Sequence, residues 1–128
     1  MKIFIVDDDP IQHKIAIAVF NRFKLDDYIS YTNPVNALID LAEAHYSNRE
    51  LPDLIILDLE MPEMTGWEFV ESFNKISLAG KHKTRVHIVS SSLVDSDQEK
   101  LKLYSCLKGL HNKPLSDTIF DTIVEEVA

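Results

Sequence analysis

Short apolar runs alternate with longer amphipathic stretches along the chain. The first run is Lys2 to Val6, four apolar residues after a lysine, and it stops at Asp7-Asp8-Asp9. An unbroken run of this length, rich in Val and Ile, predicts a strand buried on both faces. From Pro10 to Phe23, Ile11, Ile15, Val19 and Arg22 keep helical spacing with Ala16, Ala18 and Phe23 beside them, and Pro10 suits the first helical turn. Tyr28 to Tyr31 predicts a short second strand. Asn33-Pro34 starts a second helix, which carries Leu38, Leu41 and Ala42 to about His45. Leu54 to Leu57 is the third strand, closed by Asp58; Met61-Pro62 and Gly66 mark a loop before a helix with Trp67, Val70, Phe73 and Ile76 facing inward. Val86 to Val89 is the fourth strand, ending in Ser90-Ser91-Ser92. Ser96-x-x-Glu99 has the form of a capping box for a helix to about Tyr104. Leu110 to Asn112 predicts a fifth strand before Lys113-Pro114, and Ser116 can cap a last helix carrying Ile119, Phe120, Ile123 and Val127.

Strand and helix thus alternate five times, which predicts an α/β fold: a doubly wound, five-stranded parallel sheet with helices on both faces. A closed barrel needs roughly 250 residues, whereas this chain has 128. Right-handed crossovers favour the flavodoxin-like strand order 2-1-3-4-5. With no linker-like stretch or repeat, a single domain over 1–128 is expected. The chain carries 13 basic and 21 acidic side chains, a net charge of −8, which argues against a nucleic-acid partner. A lone cysteine, Cys106, excludes an internal disulfide and any multi-cysteine metal cluster. The first apolar run is too short for a signal-peptide core or a membrane span, so a cytoplasmic protein without membrane contact is expected.

In an open α/β sheet, ligands sit beyond the carboxyl ends of the strands. Those ends carry Asp7, Asp8 and Asp9, then Asp58, Ser90 and Lys113. Clustered carboxylates repel one another unless a cation neutralises them. Oxygen donors without His or Cys select Mg²⁺, with Mn²⁺ as an alternative. A carboxylate beside such a cation can attack phosphorus and form an acyl phosphate.

The chain resembles the receiver domains of bacterial two-component response regulators along nearly its whole length. The matching pieces are Ile5-Val6-Asp7-Asp8-Asp9, Leu57-Asp58-Leu59-Glu60-Met61-Pro62 with Gly66 following, Val89-Ser90-Ser91, and Lys113-Pro114. The resemblance implies that Asp58 accepts a phosphoryl group from a sensor histidine kinase or phosphotransfer protein. It implies that Asp7, Asp8, Asp58 and the backbone carbonyl of Glu60 hold the metal. It also implies that Ser90 binds a phosphoryl oxygen, that Lys113 pairs with the phosphoryl group or Asp58, and that the Lys113-Pro114 bond is cis. The closer likeness is to stand-alone receivers, without an output domain, that signal through the fourth helix, fifth strand and fifth helix to a downstream protein. A monomer or weak homodimer is expected, acting as a phosphoacceptor and not as an enzyme beyond its own phosphotransfer and autodephosphorylation.

Three departures from the family pattern stand out. Leu110 occupies the place of an aromatic that usually swings as the hydroxyl residue moves. Ser105-Cys106-Leu107-Lys108 lacks the usual small pair before the fifth strand. Glu60 adds a carboxylate beside the site and, with Ser92, is the place to look for control of dephosphorylation. The main alternative is a receiver-fold binding module that works without phosphorylation. A phosphatase of the haloacid dehalogenase type would need Asp-x-Asp after the first strand, and Asp58 to Gly66 lacks the oxygen spacing of a calcium loop. His13, His45, His82, His87 and His111 show no metal-ligand spacing and are expected as surface or packing residues. Cys106 is expected as an inert packed thiol, and Lys81, His82, Lys83 and Arg85 as a solvated loop.

Overall fold

The computed structural model describes the backbone of residues 1–127 and the side chains through residue 125. The expected inward placement of Val127 falls outside the described side chains. Five strands, β1 (Ile3–Val6), β2 (Tyr28–Tyr31), β3 (Leu54–Leu57), β4 (Arg85–Ser90) and β5 (Leu107–Asn112), alternate with five helices. The helices are α1 (Pro10–Arg22), α2 (Pro34–Tyr46), α3 (Gly66–Gly80), α4 (Asp97–Lys100) and α5 (Asp117–Val127). All strand pairs are parallel, in the order β2-β1-β3-β4-β5, as the alternation predicts.

The three inner strands are buried on both faces, and their period of two divides the interior into two cores. Phe4, Val6, Ile55, Leu57, Val86 and Ile88 pack against Leu41, Phe69, Val70 and Phe73. Ile3, Ile5, Leu54, Ile56 and Val89 pack on the other face against Val19, Phe20, Phe120 and Ile123. Burying such a side chain stabilises the fold by about 1.5–3 kcal/mol. These two cores fix the strand register, and with it the level at which each strand ends.

The helix starts follow their caps. The side chain of Asp9 accepts from the Ile11 N–H and that of Asn33 from the Val35 N–H, each ahead of a proline in the first turn. Ser116 Oγ accepts from the Ile119 N–H at 3.2 Å. The capping box lies elsewhere than expected. Thr65 and Glu68 form it at the start of α3, each side chain accepting the other's backbone N–H. Ser96 already has helical angles and makes no side-chain cap. The buried Asp97 carboxylate instead accepts from the Val94 N–H, and α4 is one turn long. Beyond it, Leu101, Lys102 and Leu103 each donate to a carbonyl three residues back, so the expected helix to Tyr104 is a run of tight turns.

Other differences have equally local causes. In α1 the inward stripe is His13, Ala16, Val19 and Phe20, and Ile11 is 62% exposed. The polar His13 disguises that stripe in the sequence. Arg22 faces outward and forms a two-pronged ion pair with Asp117. Phe69, not Trp67, is fully buried on α3, and Trp67 carries the Lys100 ammonium 4.3 Å above its ring. β5 begins at Leu107, three residues ahead of the predicted start; Val86 pairs with Leu107 and His87 with Gly109, leaving Lys108 as an extra residue in a bulge. The Lys113–Pro114 bond is cis.

Two histidine pairs also form across elements. His45 Nδ1 lies 2.9 Å from His82 Nε2, and His87 Nδ1 lies 3.0 Å from His111 Nε2. Burial, and then the positive charge of His111, Arg85 and Lys108, pushes the His87 imidazole down to about 4. The unfolded chain, with an ordinary value of 6.5, therefore takes up this proton first as pH falls. The stability that follows from keeping His87 neutral is present above that value and is lost between about 6.5 and 4. Urea unfolding of wild type and His87→Gln over this window is expected to show wild type losing up to about 1.4 kcal/mol more per pH unit than the variant. Equal slopes would refute the assignment.

Candidate functional site

Parallel strands in register end at one rim, and this rim collects the charge. Asp7 follows β1 and Asp58 follows β3; the backbone N–H of Asp58 donates to the Val6 carbonyl at 2.9 Å, and that of Asp7 to the Tyr31 carbonyl at 3.1 Å. One carboxylate oxygen each from Asp7, Asp8 and Asp58 lie within 4.8 Å of one another; Asp7 and Asp58 are buried and Asp8 is exposed. Lys113, one residue beyond β5, places its Nζ 2.8 Å from Asp7 Oδ2 and 3.3 Å from Asp58 Oδ1. The Asp7 Oδ1 atom accepts from the Asp9 N–H, so both of its oxygens are held.

Burial, and next the charge of Asp7, raises the Asp58 carboxyl above its ordinary range, while Lys113 opposes the shift. Burial alone would lower the Lys113 ammonium. The hydrogen bond and charge of Asp7, then those of Asp58, outweigh it and raise the value. The rim is therefore a partly neutralised anionic site. Its donors are all oxygens, and Asp8 opens it to solvent, which fits a hard divalent cation.

The structure thus brings together Asp7, Asp8, Asp58 and Lys113 from three parts of the chain. Ser90 stands beside them, because its carbonyl accepts from the Lys113 N–H at 3.0 Å. Its buried hydroxyl, however, is engaged with Ser92: the two Oγ atoms are 3.0 Å apart, and the Ser92 N–H donates to Ser90 Oγ at 3.1 Å. Glu60 is exposed. It lines an open groove of about 400 Å³ with Asp8, Met61, Pro62 and Thr65, and its carboxylate is not among the converging oxygens. Asp9 serves as the α1 cap.

Two structural roles at the site were not read from the sequence. The buried His13 donates from Nε2 to the Asp7 carbonyl at 2.7 Å, holding the acidic turn from beneath. Its spacing of three from Ala16 and seven from Phe20 is the available signal, masked by its polarity. Gly66 donates its N–H to the Leu59 carbonyl at 2.7 Å, and a Cβ there would stand 2.5 Å from the Asp58 carbonyl oxygen. It is required by close backbone approach, not merely by a loop.

The response regulator receiver domain family matches residues 3–116, and the chain belongs to it. A receiver domain is a phosphoacceptor of two-component signalling, not a classical enzyme. The chain is 37% identical over 115 residues to a transcriptional regulatory protein FlgR of Helicobacter pylori, a match covering 89% of this chain and 26% of that protein. It spans about a third or less of the length of the curated relatives it matches. Among solved structures, a two-component response regulator from Cytophaga hutchinsonii superposes with a TM-score of 0.86 at 26% identity, covering 98% of this chain and 95% of that one. A Vibrio cholerae chemotaxis protein CheY4 shares the fold, with a TM-score of 0.75 at 21% identity over 99% of this chain and 98% of that one. Among the described residues, no helix is long and apolar enough to cross a membrane.

The Lys113 ammonium both offsets the Asp7–Asp58 repulsion and repels an incoming cation. Lys113→Met is therefore expected to cost the metal-free protein about 3 kcal/mol and to tighten Mg²⁺ binding several-fold, with saturating Mg²⁺ recovering much of the lost stability. Thermal melts with and without Mg²⁺, together with calorimetric titration, check both parts. Unchanged Mg²⁺ affinity would contradict this balance of charge.

Proposed function

We propose that Asp58 accepts a phosphoryl group from a phosphohistidine of a sensor kinase or phosphotransfer protein. An Asp58 carboxylate oxygen attacks phosphorus, the P–N bond breaks, and the histidine leaves. The product is an aspartyl phosphate, which water later hydrolyses. The observation that carries this reading is the convergence of the three carboxylates and one ammonium at the carboxyl edge of the sheet. Asp7, Asp8 and Asp58, with the Glu60 backbone carbonyl, hold Mg²⁺ or Mn²⁺. When bound, the cation offsets the negative charge that builds up during transfer. Lys113 is the second positive group facing the phosphoryl oxygens.

Phosphorylation replaces one carboxylate charge by a group with further negative charge and strong acceptor oxygens. Ser90 answers by turning its hydroxyl from Ser92 to a phosphoryl oxygen. That exchange releases Ser92 and the segment through residue 95, which leads into the one-turn α4. The output is a shifted population at the α4–β5–α5 face, read by a downstream protein. Leu110 sits half-buried against the same core that Leu101 and Tyr104 flank. The coupling therefore runs by apolar repacking and not by a polar aromatic contact. The domain acts as a single receiver over 1–128 in the cytoplasm, as a monomer or weak homodimer.

Acetyl phosphate with Mg²⁺ is expected to label the wild type and to leave Asp58→Asn unlabelled, measured by intact mass. Equal labelling of the variant would overturn the assignment. Beryllofluoride with Mg²⁺ is expected to shift amide resonances at the rim and across α4–β5–α5 in wild type, and at the rim alone in Ser90→Ala. A wild-type spectrum unmoved by saturating reagent would favour a binding module that needs no phosphorylation.

A further inference from the structure

The amino end of the sheet holds a second polar constellation. Lys81 stands in solvent, but His82, Lys83 and Arg85 wall a cavity of about 490 Å³ together with Asp53, Ser77, Thr84, Ser105, Cys106 and Lys108. That volume is in the range of small-molecule sites. Lys83 comes from the connection after α3, Arg85 from the first residue of β4, and Lys108 from β5. The bulge that leaves Lys108 without a β4 partner is the kind of irregularity that re-aims a side chain.

Three cations thus gather from separate positions despite their mutual repulsion. None has an ion pair with a carboxylate among the described residues. The lining contains three basic residues and one acidic residue, whereas the rest of the chain has ten basic and twenty acidic. The one lining carboxylate, Asp53, accepts from the Lys2 backbone N–H at 2.8 Å. The inner hydroxyls are engaged: Thr84 donates to the Pro52 carbonyl at 2.6 Å, and Ser77 to the His82 carbonyl at 3.4 Å. The buried Cys106 also lines this space. The cavity is a positive concavity on a negative molecule, where the field favours a compact anion. The net charge of −8 argues against an extended phosphate chain such as nucleic acid as the occupant.

We propose that this cavity binds a small soluble phosphate or pyrophosphate anion, whose oxygens are held by Lys83, Arg85 and Lys108. Arg85 supplies a two-pronged donor and the lysines supply point charges. The site lies at the end of the sheet opposite Asp58, so the two can be loaded separately.

Inorganic pyrophosphate serves as the probe in a ¹H–¹⁵N NMR titration of the full chain with EDTA present and ionic strength held constant. Without a divalent cation the Asp7–Asp8–Asp58 rim stays anionic and repels it. Saturable shifts confined to residues 82–85 and 105–109 are expected, with binding about tenfold weaker or worse in Lys83→Gln/Arg85→Gln/Lys108→Gln. Acetyl phosphate labelling of Asp58 in that variant is expected to be unchanged. Should the triple variant fail to fold, Lys83→Glu, at an exposed position, is expected to weaken binding several-fold by itself. Shifts that spread without saturating, centre on the acidic rim, or survive these substitutions would overturn the proposal. So would binding to phosphatidylglycerol vesicles without binding to pyrophosphate.

Discussion

Like charges held together where the sheet ends govern the chemistry of this molecule. Asp7 and Asp58 are buried side by side, and Lys113 lies between them. Without the ammonium, two ionised carboxylates in a poorly solvated rim would strongly disfavour one another. With it, the site is tolerable but not neutral, since Asp8 adds a third carboxylate from the solvent side. Burial first, and then that imbalance, keeps the Asp58 carboxyl above its ordinary range. A site left short of positive charge has a built-in demand for a cation, and a buried carboxylate facing one is suited to receive phosphorus.

The rest of the fold makes that crowding possible. Double burial of Ile3–Val6 and Leu54–Leu57 fixes their register so that Asp7 and Asp58 emerge side by side. The Lys113 N–H on the Ser90 carbonyl ties the lysine segment to the end of β4. From beneath, His13 holds the Asp7 carbonyl. Hydrophobic packing thus supplies the force, while a few hydrogen bonds set where the charged ends stand.

The strand order, the helix starts at Pro10 and Pro34, and the gathering of Asp7, Asp8, Asp58 and Lys113 were legible because each rests on a strong local signal. Unbroken apolar runs end in polar residues, and Asp or Asn stands before proline. What escaped has the opposite character. His13 is polar in an apolar stripe, so periodicity points instead to Ile11, which faces water. Ser96-x-x-Glu99 and Thr65-x-x-Glu68 carry the same cap signature, but Ser96 already has helical angles and the adjacent Asp97 carboxylate accepts from the Val94 N–H, while Thr65 and Glu68 form the reciprocal pair. Lys108-Gly109 has poor strand character. The partner strand β4 and a bulge carry β5 through it. The basic wall at the amino end depends on residues 82–85 meeting Lys108, a contact that no local pattern announces.

The closeness of Gly66 to the Asp58–Leu59 backbone gives the site a stiff side and a compliant one. Helix α3 begins in direct contact with the main chain bearing the central carboxylate, and the capping box at Thr65 and Glu68 anchors that start. Across the rim, the serine segment leads into a single helical turn followed by separate three-residue turns rather than a continuous helix. A mechanical disturbance at Asp58 therefore meets a wall in one direction and a hinge in the other. The scaffold itself imposes a polarity on how far and which way a local change can travel, before any partner is engaged.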